Sequence, residues 1–163
     1  MKAPWSSYFQ LKDLDEEETW DGIPPKPGIY VVKSGLKIQR LAGSDDNGIL
    51  YIGKSLLVKN RIWDFWYIQH PASYMLWQYP KLAATIFKKP CRTTKRVENL
   101  VGDLYVRIST PIPRGQLDEA ERAVLFAYFD KYHELPPLNS SLPERWGKEP
   151  RVNLRRWADR GIA

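Results

Sequence analysis

Glu121 stands where an apolar residue is expected. Leu117, Val124, Leu125, Tyr128 and Tyr132 recur at helical spacing and predict one amphipathic helix over 117–132. Asp118 and Glu119 in its first turn and Lys131 in its last suit the ends of a helix dipole, and Pro136-Pro137 stops it. Glu121 falls four residues after Leu117 and four before Leu125, so it points into the apolar stripe. Burying a lone carboxylate costs several kcal/mol, which a partner must offset. Two readings stand: an ion pair with a buried arginine, or a metal ligand. Glu119, facing Arg122 and Ala123, is an ordinary solvated acid.

Other chemistry-bearing residues narrow the options. Cys91 is the only cysteine, which excludes an intrachain disulfide and a multi-thiolate zinc site. His70 and His133 are the only imidazoles, and no HExxH-type spacing joins them. Cations are plentiful: Lys88, Lys89, Arg92, Lys95 and Arg96 place five positive charges in nine positions. Such a cluster suits phosphate contacts, which set affinity rather than sequence preference. Residues 1–25 carry two lysines against six acids, a balance of −4. The net charge of +6 therefore leaves +10 on the remainder. A basic body with an acidic leader points to a polyanionic partner. Seven Trp and nine Tyr supply packing, and some are candidates for base stacking. No apolar run approaches the roughly 18–20 residues that span a bilayer. The N-terminus lacks a signal-peptide core, so a cytoplasmic protein without a membrane partner is expected.

These residues need elements to position them. One domain is expected over 163 residues. Residues 1–27 read as an arm ending at Pro24-Pro25-Lys26-Pro27, after which Ile29–Val32 forms a strand. Gly43–Gly48 is a turn cluster and Ile49–Gly53 a second strand, giving a hairpin. Ser55 is placed to cap a helix over 56–69, stopped by Pro71. A short helix follows around 73–87, then the basic loop. Asp103–Ser109 alternates as a third strand, ended by Pro111 and Pro113. The arginine-rich tail, 140–163, with Trp146 and Trp157, is expected at the surface or against a partner. With Arg145, Lys148, Arg151, Arg155, Arg156 and Arg160 it offers a second basic arm.

Gly28-Ile29-Tyr30 on one strand and Tyr51-Ile52-Gly53 on the next resemble the two signatures of the GIY-YIG nuclease family. The order that follows is also similar: a helix with Arg61, a strand at 103–109, a helix with Glu121, then Asn139. The glutamate singled out by helical periodicity is the one the pattern selects. The resemblance covers about 28–61 and 103–139. It implies an α+β fold, a small three-stranded antiparallel sheet flanked by helices. The nuclease core would span 28–139 with a helical insertion at 62–102. It also implies a chemistry. Glu121 would bind one Mg²⁺ (or Mn²⁺), polarising the scissile phosphate and stabilising the leaving 3′ oxygen. Arg61 would neutralise charge on the non-bridging oxygens. Tyr30 and Tyr51 would project into one pocket, Tyr30 orienting or deprotonating the attacking water and Tyr51 holding the phosphate. A phenol near pKa 10 needs neighbouring cations to act as a base, and Lys54 would supply one. Gly28 and Gly53 would serve as structural support, and Asn139 would brace the glutamate helix or the sheet.

Two departures stand out. Tyr30 and Tyr51 are 21 positions apart, a long separation for the family, so residues around 36–46 form a longer hairpin or an inserted strand such as 37–41. Where many members carry a histidine one turn after the arginine, this chain has Phe65. His70 is offset by more than a turn, so no histidine is assigned to proton transfer. No helix-turn-helix or zinc module is present, so recognition of double-stranded DNA falls to the insertions or to homodimerisation. The function implied is a Mg²⁺-dependent endonuclease of restriction type. The alternatives are a repair or mobile-element nuclease acting with a partner, and a catalytically silent DNA-binding module.

Overall fold

Gly28 opens the central strand because nothing larger fits: a Cβ there would lie 2.5 Å from the Ser109 carbonyl oxygen of the neighbouring strand. The computed structural model describes residues 3–88, 103–140 and 151–163. Its main sheet contains β1 (Phe9–Gln10), β2 (Gly28–Ser34), β5 (Ile49–Ser55) and β6 (Leu104–Ser109) in the order β1-β6-β2-β5. All neighbours run antiparallel. The sheet thus has four strands rather than the three expected. The addition is a two-residue piece of the N-terminal arm, too short to carry a periodic signal. Tyr30 pairs with Gly53 on one side and Ile108 on the other.

Strand alternation splits the side chains of β2 between two cores. Tyr30 and Val32 join a cluster with Ile62, Phe65, Leu76 and Ala83, whereas Ile29 and Val31 join one with Val124, Tyr128 and Trp157. With both faces covered, β2 is buried along its length apart from a half-buried Lys33. A bulge opposite the Val32/Lys33 step inserts Leu50 as an extra residue of β5. Leu50 can then enter the first core while Ile49 and Ile52 enter the second.

The residues that lengthen the spacing between the two glycine signatures form their own ribbon, β3 (Ile38–Arg40) against β4 (Gly43–Asp45). The inserted strand is therefore present, and the stretch at 43–48 is half strand, half turn. Asp45 is fully buried. Its carboxylate accepts backbone N–H bonds from Asn47, Gly48 and Ile49 at 2.9–3.1 Å, and the hydroxyls of Tyr128 and Tyr132 at 3.0 and 3.1 Å. Gly48 is left-handed (φ 64°), and a Cβ there would lie 2.1 Å from the Leu36 carbonyl oxygen.

Helices α1 (Glu17–Gly22), α2 (Val58–Trp66), α3 (Pro71–Gln78) and α4 (Pro80–Ile86) precede β6. Ser55 belongs to β5 and does not cap α2. Its Oγ accepts the Leu57 N–H at 3.0 Å, turning the chain before the helix starts. α2 ends earlier than expected, and Pro71 starts a helix instead of stopping one. Pro80 opens α4, dividing the expected 73–87 helix in two. Helix α5 (Leu117–Tyr132) has the predicted bounds.

The tail departs from expectation. Helix α6 (Val152–Gly161) packs against α5, and Trp157 is buried in the second core. Trp5 stacks on it with ring centroids 5.0 Å apart, and the two indoles donate to the carbonyl oxygens of Trp157 and Ala3. Of the tail cations, Arg155 pairs with Asp130, while Arg145, Lys148 and Trp146 lie outside the described residues. Among the described residues no helix is long and apolar enough to cross a membrane.

Candidate active site

One cavity of about 680 Å³ gathers side chains from five elements. Tyr51 and Lys54 come from β5, Arg61 from α2, His70 from the α2–α3 link, Glu121 from α5 and Asn139 from the segment after it. Pro71, Met75 and Leu82 of the helical insertion complete one wall.

Tyr51 is half-buried on the wall, whereas Tyr30 is 1% exposed, lies behind it and does not line the cavity. Their rings are 5.9 Å apart. The expectation that both phenols project into the pocket therefore holds for Tyr51 alone. Gly53 explains how the pair fits: a Cβ there would lie 2.5 Å from Tyr30 Oη and 2.7 Å from Tyr51 Cε1. The glycine is empty space that two tyrosines fill.

His70 takes part despite its offset in sequence. After α2, Ile68 adopts a left-handed conformation (φ 62°), and the Gln69 and His70 amides return to the Asp64 carbonyl at 2.8 and 3.0 Å. This reversal brings the imidazole to within 5.3 Å of Phe65 and 5.0 Å of Tyr51, ring centre to ring centre. His70 Nδ1 accepts the Ala72 N–H at 3.1 Å, as the N-cap of α3. The neutral ring then carries its proton on Nε2, which lies 3.1 Å from Tyr30 Oη and donates to it. Tyr30 also packs against Tyr51, their rings tilted at 38°. The hydrogen-bonded chain thus runs from the Ala72 amide through His70 to Tyr30, which packs behind Tyr51 at the cavity.

Electrostatics fix the protonation states. Burial, followed by the nearby Arg61 charge, pushes His70 down to about 4, so the ring is neutral near pH 7. Burial and the neighbouring Tyr51 hold Tyr30 well above the usual phenol range. Tyr51 is raised by burial and by the Glu121 charge, against the opposing pull of Tyr30, Arg61 and Lys54. Neither phenol is a phenolate near neutrality.

Glu121 answers one of the two sequence readings: it is paired, though with lysine rather than arginine. Lys54 Nζ lies 2.8 Å from Glu121 Oε2 and 2.7 Å from Asp118 Oδ1. Burial alone would lower the Lys54 pKa, but its hydrogen bonds to Asp118 and Glu121 outweigh that and raise it. The sequence marks Asp118 only as a first-turn acid. Its place beside Lys54 depends on the packing of α5 against β5, which local pattern does not reveal. Glu121 Oε1 has no partner among the described residues. Among them, no group of three or more His, Cys, Asp and Glu is placed to hold a metal. Glu121 would offer a hard divalent ion a single carboxylate, with water and substrate oxygens left to fill the rest of its shell, a donor set of the kind Mg²⁺ takes.

Arg61 is 42% exposed and makes only a loose 3.8 Å pair with Asp64 on its own helix, leaving the guanidinium free to turn into the cavity. Asn139 braces the sheet: its side chain accepts the Ile52 N–H at 3.0 Å and donates to the Ile52 carbonyl at 2.8 Å. Lys88 is exposed at the end of the helical insertion, and Lys89, Arg92, Lys95 and Arg96 lie outside the described residues. No protein-family model, curated protein or solved structure matches this chain.

Proposed function

We propose that this chain is a Mg²⁺-dependent endonuclease of the GIY-YIG type that hydrolyses phosphodiester bonds in double-stranded DNA, as a site-specific restriction enzyme. The observation that supports this reading is the meeting of Tyr51, Lys54, Arg61, Glu121 and Asn139 at one cavity, from positions spread over nearly 90 residues. Arg61 would meet the non-bridging oxygens of a phosphate, where its fixed fork suits charge developing on two of them. Glu121 would hold Mg²⁺, which supplies positive charge opposite the scissile phosphate and its 3′ leaving oxygen.

The water-orienting role that the family resemblance implies for Tyr30 passes to Tyr51, the phenol on the cavity wall, and Tyr30 supports it by ring packing from behind. With its pKa raised, Tyr51 acts as a hydrogen-bonding phenol that aims the attacking water. His70, neutral and anchored by the Ala72 amide, holds the Tyr30 hydroxyl in place behind it.

A second reading, a silent DNA-binding module, draws on the Lys54–Glu121 pair, which by itself is a stable tie between β5 and α5. Incubating the protein with long duplex DNA and Mg²⁺, then sequencing the cut ends, separates the readings. Discrete ends support a restriction-type enzyme, and ends confined to junctions or flaps a repair or mobile-element nuclease. Absence of cutting, with binding retained, supports the module.

A further inference from the structure

Lys54 bridges two carboxylates of one helical turn that face different surroundings. Glu121, 16% exposed, lines the cavity that holds Tyr51 and Arg61. Asp118, 91% exposed, lines an adjoining open groove with Arg114, Leu56 and Leu57. Lys54 and Arg61 line both. Because Asp118 and Glu121 are three residues apart on α5, they are surface neighbours, and the ammonium reaches both at under 3 Å. We propose that Lys54 is a displaceable guard of the Glu121 carboxylate, and that Asp118 is the positioning residue that receives Lys54 when a divalent cation takes its place. This inference rests on the nuclease reading of the same site.

The physical reason is charge crowding. Even with the divalent ion on the free Oε1 and the ammonium on Oε2, the two would lie within roughly 6 Å, where their repulsion at a protein surface is still several times the thermal energy. The two cations therefore compete for Glu121. Lys54 leaves by moving, because a second carboxylate, Asp118, already lies 2.7 Å from its ammonium. Without Asp118, that movement would carry the ammonium fully into water. With Asp118, the side chain swings by about one ion-pair length and remains at the rim, between the cavity and the groove. Before cation binding, Glu121 is not left as an uncompensated charge against Leu125.

Mn²⁺ binding to the full chain without DNA, followed by electron paramagnetic resonance or calorimetry, tests the guard. Glu121→Gln defines the site by abolishing the uptake that depends on it. Removing the competitor by Lys54→Met should tighten Mn²⁺ binding about fivefold, the upper range for an ion pair this exposed. Lys54→Arg, which restores a cation, should return the affinity to the wild-type value or below. Asp118→Asn should weaken binding in the wild-type chain but leave it unchanged in the Lys54→Met background. Asp118 is too exposed to act strongly through its field alone, so its effect should pass through Lys54. Equal weakening in both backgrounds would make Asp118 a direct ligand and overturn the guard. Glu121-dependent uptake unaffected by Lys54→Met would overturn it too, while leaving the nuclease reading intact. Absence of Glu121-dependent uptake in every variant would remove the guard and the metal site together.

Discussion

Replacing Asp45 by Asn should cost this protein about 3–5 kcal/mol of stability. The figure follows from the donors around the carboxylate. Oδ1 accepts from Asn47 N, Gly48 N and Tyr132 Oη; Oδ2 accepts from Ile49 N and Tyr128 Oη. An amide has one oxygen and one NH₂ group, so it satisfies at most one of these sets. With its oxygen in the Oδ1 place, the NH₂ faces Tyr128, which can turn to accept, and Ile49 N–H, which cannot. One buried amide is then orphaned, at about 1–3 kcal/mol, and one charge-assisted bond is lost, at about 1.5–3 kcal/mol. For a chain of this size the melting temperature should fall by roughly 6–20 °C. Urea unfolding at pH 7 followed by tryptophan fluorescence measures the loss. Tyr128→Phe and Tyr132→Phe should each cost about 1 kcal/mol and couple to Asp45→Asn in a double-mutant cycle. A change of under about 1 kcal/mol for Asp45→Asn would refute the reasoning. The β3–β4 ribbon would then be tied to α5 by packing rather than through its carboxylate.

Other changes test the site. Glu121→Gln should abolish cleavage while leaving DNA binding, measured by gel shift, largely intact; near wild-type cutting would remove the metal site. Tyr51→Phe should lower the single-turnover cleavage rate by roughly 10–100-fold, the loss of one hydrogen bond to the attacking water, and Tyr30→Phe by less, and the reverse ranking would place Tyr30 at the reacting water. Because burial holds His70 at about 4 against 6.5 when unfolded, the unfolded state takes up the proton first as pH falls. The His70 contribution to stability is therefore complete above pH 6.5 and lost progressively towards pH 4, and His70→Gln should flatten that part of the urea-midpoint profile. Neutralising Lys88, Lys89, Arg92, Lys95 and Arg96 together should reduce the slope of log K against log salt by about 0.9 for each phosphate that is no longer neutralised. An unchanged slope would assign the cluster to solvent.

What the sequence reveals follows from the range of each signal. β2, β5, β6 and α5 are legible because their patterns repeat over six residues or more, and Glu121 because it interrupts one. β1 offers two residues and no period. Helical spacing excludes His70 from the site, but α2 has already ended and the left-handed Ile68 brings the chain back. The arginines around Trp157 suggest a surface position. Its helix nevertheless packs on α5 with Leu154, Trp157 and Ala158 in the core, a stripe that the arginine-rich tail conceals. Asp45 is marked locally only as part of a turn cluster, and Asp118 only as a first-turn acid. Their partners, Tyr128 and Tyr132 for the one and Lys54 for the other, are remote in sequence and meet them through packing that no local window contains.

The amide of Asn139 also bears on how copies of this chain can meet. β5 ends the sheet, and an outer strand with free N–H and C=O groups is a template for another strand. Here the Asn139 side chain occupies both polar groups of Ile52, and the Leu138 N–H takes the Leu50 carbonyl at 3.0 Å. A single residue and its neighbour imitate the next strand and stop the ladder. Strand addition by a second copy is thereby blocked at Leu50 and Ile52 of this margin, leaving the opposite margin at β1 outside its reach. Trimming Asn139 to Ala would reopen the margin, with self-association rather than lost chemistry as its first symptom.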